Sequence, residues 1–281
     1  MVKKLAGIVF VVSGQKITGL PVSLTPARER SYWFRIAIKG KKKKRSCTMT
    51  GKAGHSGNGV HVPDPEPGSS LAKPIVCVPL AEPDVESAAR LYTEVFLADE
   101  PTSHRHALDP ALFLPYARFY VRSLVRKDLS FLIRDETTNE LAGFIFCFDL
   151  TDDPEKESAV MAEFIAHFKE AVAMIHELED RHINVEEIKA GSVLHIFQIG
   201  VSRQYRETGI AQAMIRRVLA HAREHGFRQV ITDCTSPASK KAFERCGFSE
   251  LGFYPYDSFS MNGVRFFAGI PGGISLMVKS I

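Results

Sequence analysis

The chain has little of what marks a disulfide-stapled, membrane-spanning or nucleic-acid-binding protein. Its 281 residues contain five cysteines, Cys47, Cys77, Cys147, Cys234 and Cys246. Their number is odd, their spacing wide and their settings mostly apolar, which suits buried reduced thiols of a cytosolic protein better than a disulfide framework. No CxxC pair and no catalytic-cysteine signature occurs. No run approaches the ~18 apolar residues that cross a bilayer. The apolar stretch from Leu5 to Val12, after Lys3-Lys4, is short and has no convincing cleavage site behind it, so secretion is not expected. A formal charge of +4 is too mild to imply nucleic acid, and much of it comes from Lys41-Lys42-Lys43-Lys44-Arg45. Neither a nucleic-acid nor a membrane partner is expected, and the location expected is cytoplasmic.

What is present is a globular composition, 45% hydrophobic, that changes near residue 73. Before it stand the lysine run, a Gly/Ser/His stretch and the linker-like Pro63-Asp64-Pro65-Glu66-Pro67-Gly68-Ser69-Ser70. Residues 1–73 are therefore expected to be a poorly ordered or appended N-terminal extension. The lysine run reads as a solvated tail ahead of a nuclear-import signal. Residues 74–281 alternate strand and helix signals. Ile75 to Pro79 reads as a strand, and Asp84 as the N-cap of a helix ending at Asp99-Glu100-Pro101. Asp109-Pro110 opens a second helix to about Val125. A hairpin follows around Thr137-Thr138-Asn139, then one long amphipathic helix over roughly 154–179. Strands at 193–201, 229–234, about 248–253 and about 274–280 enclose helices at 209–224 and 237–246. This order predicts an α/β fold with a mixed sheet.

The strongest local feature is a strand running into Arg206-Glu207-Thr208-Gly209-Ile210-Ala211, which opens a helix. Unpaired N–H groups and the positive dipole end of a helix's first turn favour a phosphate. Gly209 permits backbone conformations closed to other residues, Ala211 is small, and Arg206 adds a charge. By itself such a motif recurs by chance roughly 0.3 times in a chain of this length. Its setting between an apolar strand and an amphipathic helix raises its weight above that of an ordinary strand-to-helix turn.

Val201-Ser202-Arg203-Gln204-Tyr205-Arg206-Glu207-Thr208-Gly209-Ile210-Ala211 resembles the acetyl-CoA motif of the GNAT N-acetyltransferase superfamily, and Phe243-Glu244-Arg245-Cys246-Gly247-Phe248 resembles its closing helix and "GF" signature. The resemblance implies a central, mostly antiparallel sheet of six to seven strands, splayed between the fourth and fifth and flanked by helices. It implies acetyl-CoA as co-substrate, with pyrophosphate on residues 206–211, from Arg206 through Glu207, Thr208, Gly209 and Ile210 to Ala211, and pantetheine beside Ile199, Gly200 and Val201. No metal is implied. A narrower resemblance, over 74–281, is to the insect-type arylalkylamine (dopamine) N-acetyltransferases. It rests on Phe96-Leu97-Ala98-Asp99-Glu100-Pro101, Cys234-Thr235-Ser236-Pro237-Ala238-Ser239 and Gly273-Ile274-Ser275-Leu276-Met277-Val278-Lys279.

In that family the Glu of the "DEP" segment is the general base, which corresponds to Glu100. An ammonium group must lose a proton before it attacks a thioester. Acidic residues are unfavourable at a helix C-terminus, so Asp99-Glu100 needs some other reason to be there. Many superfamily members protonate the leaving thiolate with a tyrosine where this chain has Phe243. The insect-type family places hydroxyls at the positions of Thr235 and Ser239 instead, although helix capping by Thr235 or Ser236 needs only one hydroxyl. His195, expected to share a strand face with Phe197, Ile199 and Val201, is a rival base or a satisfied buried histidine. His221 and His225 have the i,i+4 spacing of a metal pair without an obvious acidic third ligand, so no metal is expected.

The acceptor wall is expected from Phe113, Tyr116, Phe119, Tyr120, Phe144, Phe146, Phe148 and the segment 254–259, residues equally suited to a core. Taken together these readings describe an enzyme, monomeric or homodimeric, that moves acetyl from acetyl-CoA to a small primary amine, an arylalkylamine in the nearest resemblance. A polyamine, an amino acid or a protein amine are the alternative acceptors, and a non-catalytic acyl-CoA-binding module is the alternative class.

Overall fold

Apolar periodicity translates into elements almost in the order expected. The computed structural model describes residues 74–103, 108–152 and 158–281. The extension, its lysine run, and His104 and His106 lie outside the described residues. Seven strands are seen, β1 (Ile75–Pro79), β2 (Phe131–Asp135), β3 (Leu141–Asp149), β4 (Val193–Val201), β5 (Gln229–Cys234), β6 (Ser249–Pro255) and β7 (Gly273–Ser280). The main helices are α1 (Val85–Asp99), α2 (Pro110–Val125), α3 (Ala159–Ala166), α4 (Lys169–His182), α5 (Ile210–Glu224) and α6 (Pro237–Glu244). Asp109 caps α2 as expected, accepting from the Ala111 N–H at 2.8 Å ahead of Pro110. Asp84 stands before α1 but makes no cap bond; its carboxylate pairs with Arg134 at 2.6 Å and accepts from the Ala81 N–H at 3.1 Å.

The long helix expected over 154–179 is instead two. Short backbone bonds, His167 N–H to Phe164 C=O (3.1 Å) and Phe168 N–H to Ile165 C=O (2.9 Å), close α3. Phe168 then turns inward, its ring centroid 5.3 Å from those of Phe96 and Phe164. An aromatic cluster drawn from distant segments outweighs the local helical periodicity.

The sheet runs β1-β2-β3-β4-β5-β7-β6, antiparallel everywhere except between β4 and β5. Its two faces follow the period-two alternation of β3. Phe144, Phe146 and Phe148 face α1, α2 and α3, while Ile145 and Cys147 face α5. A third cluster packs α4 against β7 through Met174, Leu178, Ile274 and Leu276. The parallel pairing of β4 with β5 spans only Val193↔Gln229, Leu194↔Val230 and His195↔Ile231. Beyond it the strands diverge, which gives the splay expected between the fourth and fifth strands.

One expectation about β4 is overturned. Phe146 pairs with Gln198 and Cys147 with Ile196, so Phe197 is an extra residue, a β-bulge. The bulge resets the alternation. Leu194, Ile196, Ile199 and Val201 all meet the α5 side, whereas the His195 ring packs on Phe148 and Phe197. His195 therefore does not share a face with Ile199 and Val201.

Gly200 lies just after the bulge and lets α1 close on the sheet. A Cβ there would fall 2.4 Å from Phe144 Cζ and 3.0 Å from Val95 Cγ1. Gly200→Ala is expected to lower the unfolding free energy by about 1–3 kcal/mol, the usual range for overpacking. Denaturant titration measures this, and an unchanged midpoint would show that the Phe144 ring yields freely.

Candidate active site

The splay opens into a cavity of about 270 Å³ lined mainly by aromatic and aliphatic side chains. Phe96 and Glu100 come from α1, Phe164 from α3, Phe168, Ile175 and His176 from α4 and its approach, Phe197 to Ile199 from β4, and Thr232 to Cys234 from β5. Of the aromatics expected on the acceptor wall, Tyr120, Phe144 and Phe148 line it. Phe113, Phe146, Tyr256 and Phe259 are buried in the packing clusters instead. Phe96, Phe164 and Phe168 are lining residues that the sequence reading missed. Their only signal was an aromatic stripe at helical spacing, which core positions share.

At one edge of the splay stands the loop expected to hold pyrophosphate. Tyr205 is its anchor, buried, with its hydroxyl donating to Asp135 at 3.0 Å, and Thr208 Oγ1 donates to the Tyr205 carbonyl at 2.6 Å. Glu207 and Gly209 have φ of 63° and 86°, so the chain reverses sharply and presents the first turn of α5 outward. Gly209 provides no side-chain cap, leaving that turn's N–H groups to a ligand. Arg206 reaches across to α1: its guanidinium grips the Asp99 carboxylate through both terminal nitrogens, and its Nε donates to the Val201 carbonyl at 3.3 Å. The charge predicted for the phosphate is thus also a tie between the loop and the helix that carries Glu100.

Glu100 follows directly. It is the C-cap of α1, in an extended conformation that turns its side chain off the helix axis. Its Oε2 accepts from Thr102 Oγ1 and from the Ser103 N–H, both at 2.6 Å. Its Oε1 is buried and has no hydrogen-bond partner. One oxygen is held and the other is left without a hydrogen-bond partner, on a residue that lines the cavity. Thr102 and Ser103, themselves buried, were missed by sequence reading, although Ser/Thr two and three residues after an acidic residue is a local pairing signal. Glu100 also makes itself felt on Tyr92 and Tyr256, whose hydroxyls are pushed up by burial first and by this nearby charge as well.

Ser236, Ser239 and Phe243 sit on α6 and the turn before it. Ser236 caps α6, with its Oγ accepting from the Ser239 N–H at 3.2 Å. Ser239 completes a capping box: its Oγ donates to the Ser236 carbonyl at 2.8 Å and accepts from the Ser236 N–H at 3.3 Å. The expectation that capping needs only one hydroxyl is therefore corrected, since both serines take part. Thr235 lines the same wall, its carbonyl held by the Tyr256 hydroxyl at 2.7 Å. Phe243 is buried on Phe248 and brings no proton donor to the cavity. His195 is 4% exposed, lies behind Phe197 rather than on the wall, and has Nε2 3.0 Å from Asp233 Oδ2. Ile199 lines the cavity, and Gly200 and Val201 continue along the edge of β4 that has no strand partner beyond His195.

A mixed, splayed seven-stranded sheet with a bulged fourth strand and a glycine-led helix after it is an acetyltransferase fold. The profile of the Acetyltransferase (GNAT) family matches residues 86–248, and the chain belongs to that family. N-acetyltransferase 8B of Rattus norvegicus is 32% identical over 76 residues, 26% of this chain; the match spans about a third (34%) of that relative's length. Among solved structures the chain is similar to the C-terminal condensation domain of Ebony in complex with beta-alanyl-dopamine (TM-score 0.61, 20% identity, 74% of this chain and 100% of that one). It is similar also to arylalkylamine N-acetyltransferase 2 from Aedes aegypti (TM-score 0.61, 19% identity, 74% and 99%). A polyamine N-acetyltransferase of Drosophila melanogaster is nearly as similar (TM-score 0.59, 16% identity, 74% and 100%). At these identities the structures share the fold.

Cys234 lines the cavity and Cys77, on β1, is buried in the core on the α5 side, and burial above all pushes both thiols up to about 12. A raised thiol pKa means less thiolate, the reactive form, at neutral pH. Iodoacetamide at pH 7.5 is expected to leave Cys77 and Cys234 unmodified in the native protein and to label both after unfolding. Peptide mass spectrometry reads the difference, and rapid native labelling of Cys234 would contradict the assigned burial.

Proposed function

We propose that the chain transfers an acetyl group from acetyl-CoA to a primary amine by direct attack in a ternary complex, with an arylalkylamine as the acceptor. The observation that carries this reading is Glu100, one carboxylate oxygen tethered and the other unpartnered, on the wall of an aromatic cavity at the β4–β5 splay. The N-terminal turn of α5 and the loop from Arg206 to Ala211 hold the pyrophosphate. The unpaired edge of β4 from Ile199 through Val201 accompanies pantetheine into the splay. Glu100 takes a proton from the acceptor ammonium, directly or through one water, and the freed nitrogen attacks the thioester carbon; CoA leaves as a thiolate. Two hydroxyls are available to that thiolate. Ser239 must leave its bond to the Ser236 carbonyl to serve it, so Thr235 is the first choice. His195 is assigned no proton transfer with the acceptor, because it faces Asp233 and not the cavity. The aromatic-rich, mainly apolar lining suits a flat arylalkyl group better than a charged peptide.

The catalytic unit in this reading is residues 74–281, with 1–73 an appendage, acting in the cytosol as a monomer or homodimer. Among the described residues no helix is long and apolar enough to cross a membrane. Glu100→Gln is expected to reduce kcat by about 10²–10⁴-fold, the usual contribution of a general base, while CoA binds as before. CoA release with an arylalkylamine panel, beside calorimetric CoA titration, reads both. Unchanged turnover in this variant would remove Glu100 from the mechanism, and wild-type protein inert towards every amine would remove the activity.

A further inference from the structure

A second acidic centre lies in the cavity wall, away from Glu100. Glu179 on α4, Asp233 on β5 and His195 on β4 each bring one side-chain oxygen or nitrogen within 4.8 Å of the others. Glu179 is 3% exposed, and the side chains of His195 and Asp233 are each 5% exposed. Two carboxylates this close and this buried do not both stay ionised. Burial first, and the Asp233 charge next, hold the Glu179 carboxyl well above the usual range, which favours its protonated form, a hydrogen-bond donor to Asp233. One oxygen of each carboxyl, Glu179 Oε1 and Asp233 Oδ1, is buried without a conventional donor, as expected where two carboxyls share a proton. His195 orients Asp233 through its 3.0 Å contact.

Of the three, only Asp233 lines the cavity. It and Glu100 are separate points on that wall. The Asp233 charge acts on Glu179, His176 and Cys234, whereas the Glu100 charge acts on Tyr92 and Tyr256. Asp99, also on the wall, is tied to Arg206. Asp233 lines a mainly apolar cavity with its side chain 5% exposed, and a carboxylate in such surroundings is costly unless something donates to it. Two protein donors occupy part of its capacity, and a carboxylate has about four lone-pair sites.

We propose that Asp233, held in place by His195 and Glu179, is a second recognition point for the acceptor. It accepts a hydrogen bond from a donor that the acceptor carries besides its reacting amine, a phenolic hydroxyl or a second ammonium group. This rests on the amine-acetylation reading, and Glu179 and His195 are positioning residues in it.

The test is calorimetric binding of amines to the full chain saturated with CoA, which needs no turnover. The probes are 2-phenylethylamine, tyramine and 4-(2-aminoethyl)benzylamine. Wild type is expected to bind at least one of the last two about tenfold more tightly than the first, a gain of about 1.4 kcal/mol. Which of the two gains tells hydroxyl from cation. Asp233→Asn is expected to erase the preference. Glu179→Gln, whose amide still donates to Asp233, keeps it, and Glu179→Leu loses it; thermal melting of each variant accompanies the titrations. Equal affinity for all three amines in the wild type would overturn the proposal. So would an Asp233→Asn variant that weakens all three equally, or a stoichiometric divalent metal in the purified protein, which would put a cation where the proton is assigned. An amine preference that persists without turnover would sink the acetylation reading and leave this subsite standing.

Discussion

Strands β4 and β5 hold together over three residue pairs and then part, and the chemistry of the chain is arranged around that gap. Parallel strands normally pair along their length inside a covered sheet. Here the bulge at Phe197 turns β4 just past the last pair, so one strand sends side chains to both faces of the sheet beside the opening. Ile199 and Val201 settle onto the α5 layer, while Gln198 donates to the Tyr92 hydroxyl at 2.7 Å on the α1 layer. Gly200, with no side chain, sets how near α1 can come. The position of Glu100 at the end of α1 therefore depends on a residue that has nothing to place in the site itself.

The charges at the gap make the same point. Asp99 and Glu100 close α1 at the helix end where negative charge is disfavoured, by about 0.3–1 kcal/mol each. The structure offsets this locally, with Arg206 on Asp99 and with the Thr102 hydroxyl and Ser103 N–H on Glu100. The Asp99–Arg206 pair is roughly a third exposed on both sides, so its contribution to stability is small. Its effect is geometric: it fixes the carboxylate-bearing helix to the loop proposed to hold the phosphate, so the two proposed sides of the site share one frame. The capping box of Ser236 and Ser239 performs a similar service for α6, holding the wall that carries Thr235 and Phe243.

Much of this was legible in the sequence because much of it is local. The strand–loop–glycine–helix passage and the Asp109 cap are each written within about a dozen residues, and each appears as expected. The departures come from long range. Nothing between 154 and 179 signals the break at Phe168, because its cause is Phe96, some seventy residues earlier. A bulge is invisible to period-two reasoning until the partner strand is known, so His195 was assigned the wrong face. The partners of His195 were likewise out of reach, Asp233 lying 38 positions downstream and Glu179 on a separate helix.

The same distinction explains why the donor was readable and the acceptor was not. A pyrophosphate is bound by backbone, through N–H groups and a reversal that demands glycine, and backbone requirements leave a compact trace in sequence. The cavity where the proposed acceptor would sit is lined by side chains gathered from α1, α2, α3, α4, β4 and β5, spread along the chain and each as suited to a core as to a ligand. What separates wall from core is the polar group left incompletely satisfied at its surface. Glu100 Oε1 is one such group, and in the reading proposed above Asp233 supplies a second acceptor for a ligand with two donors.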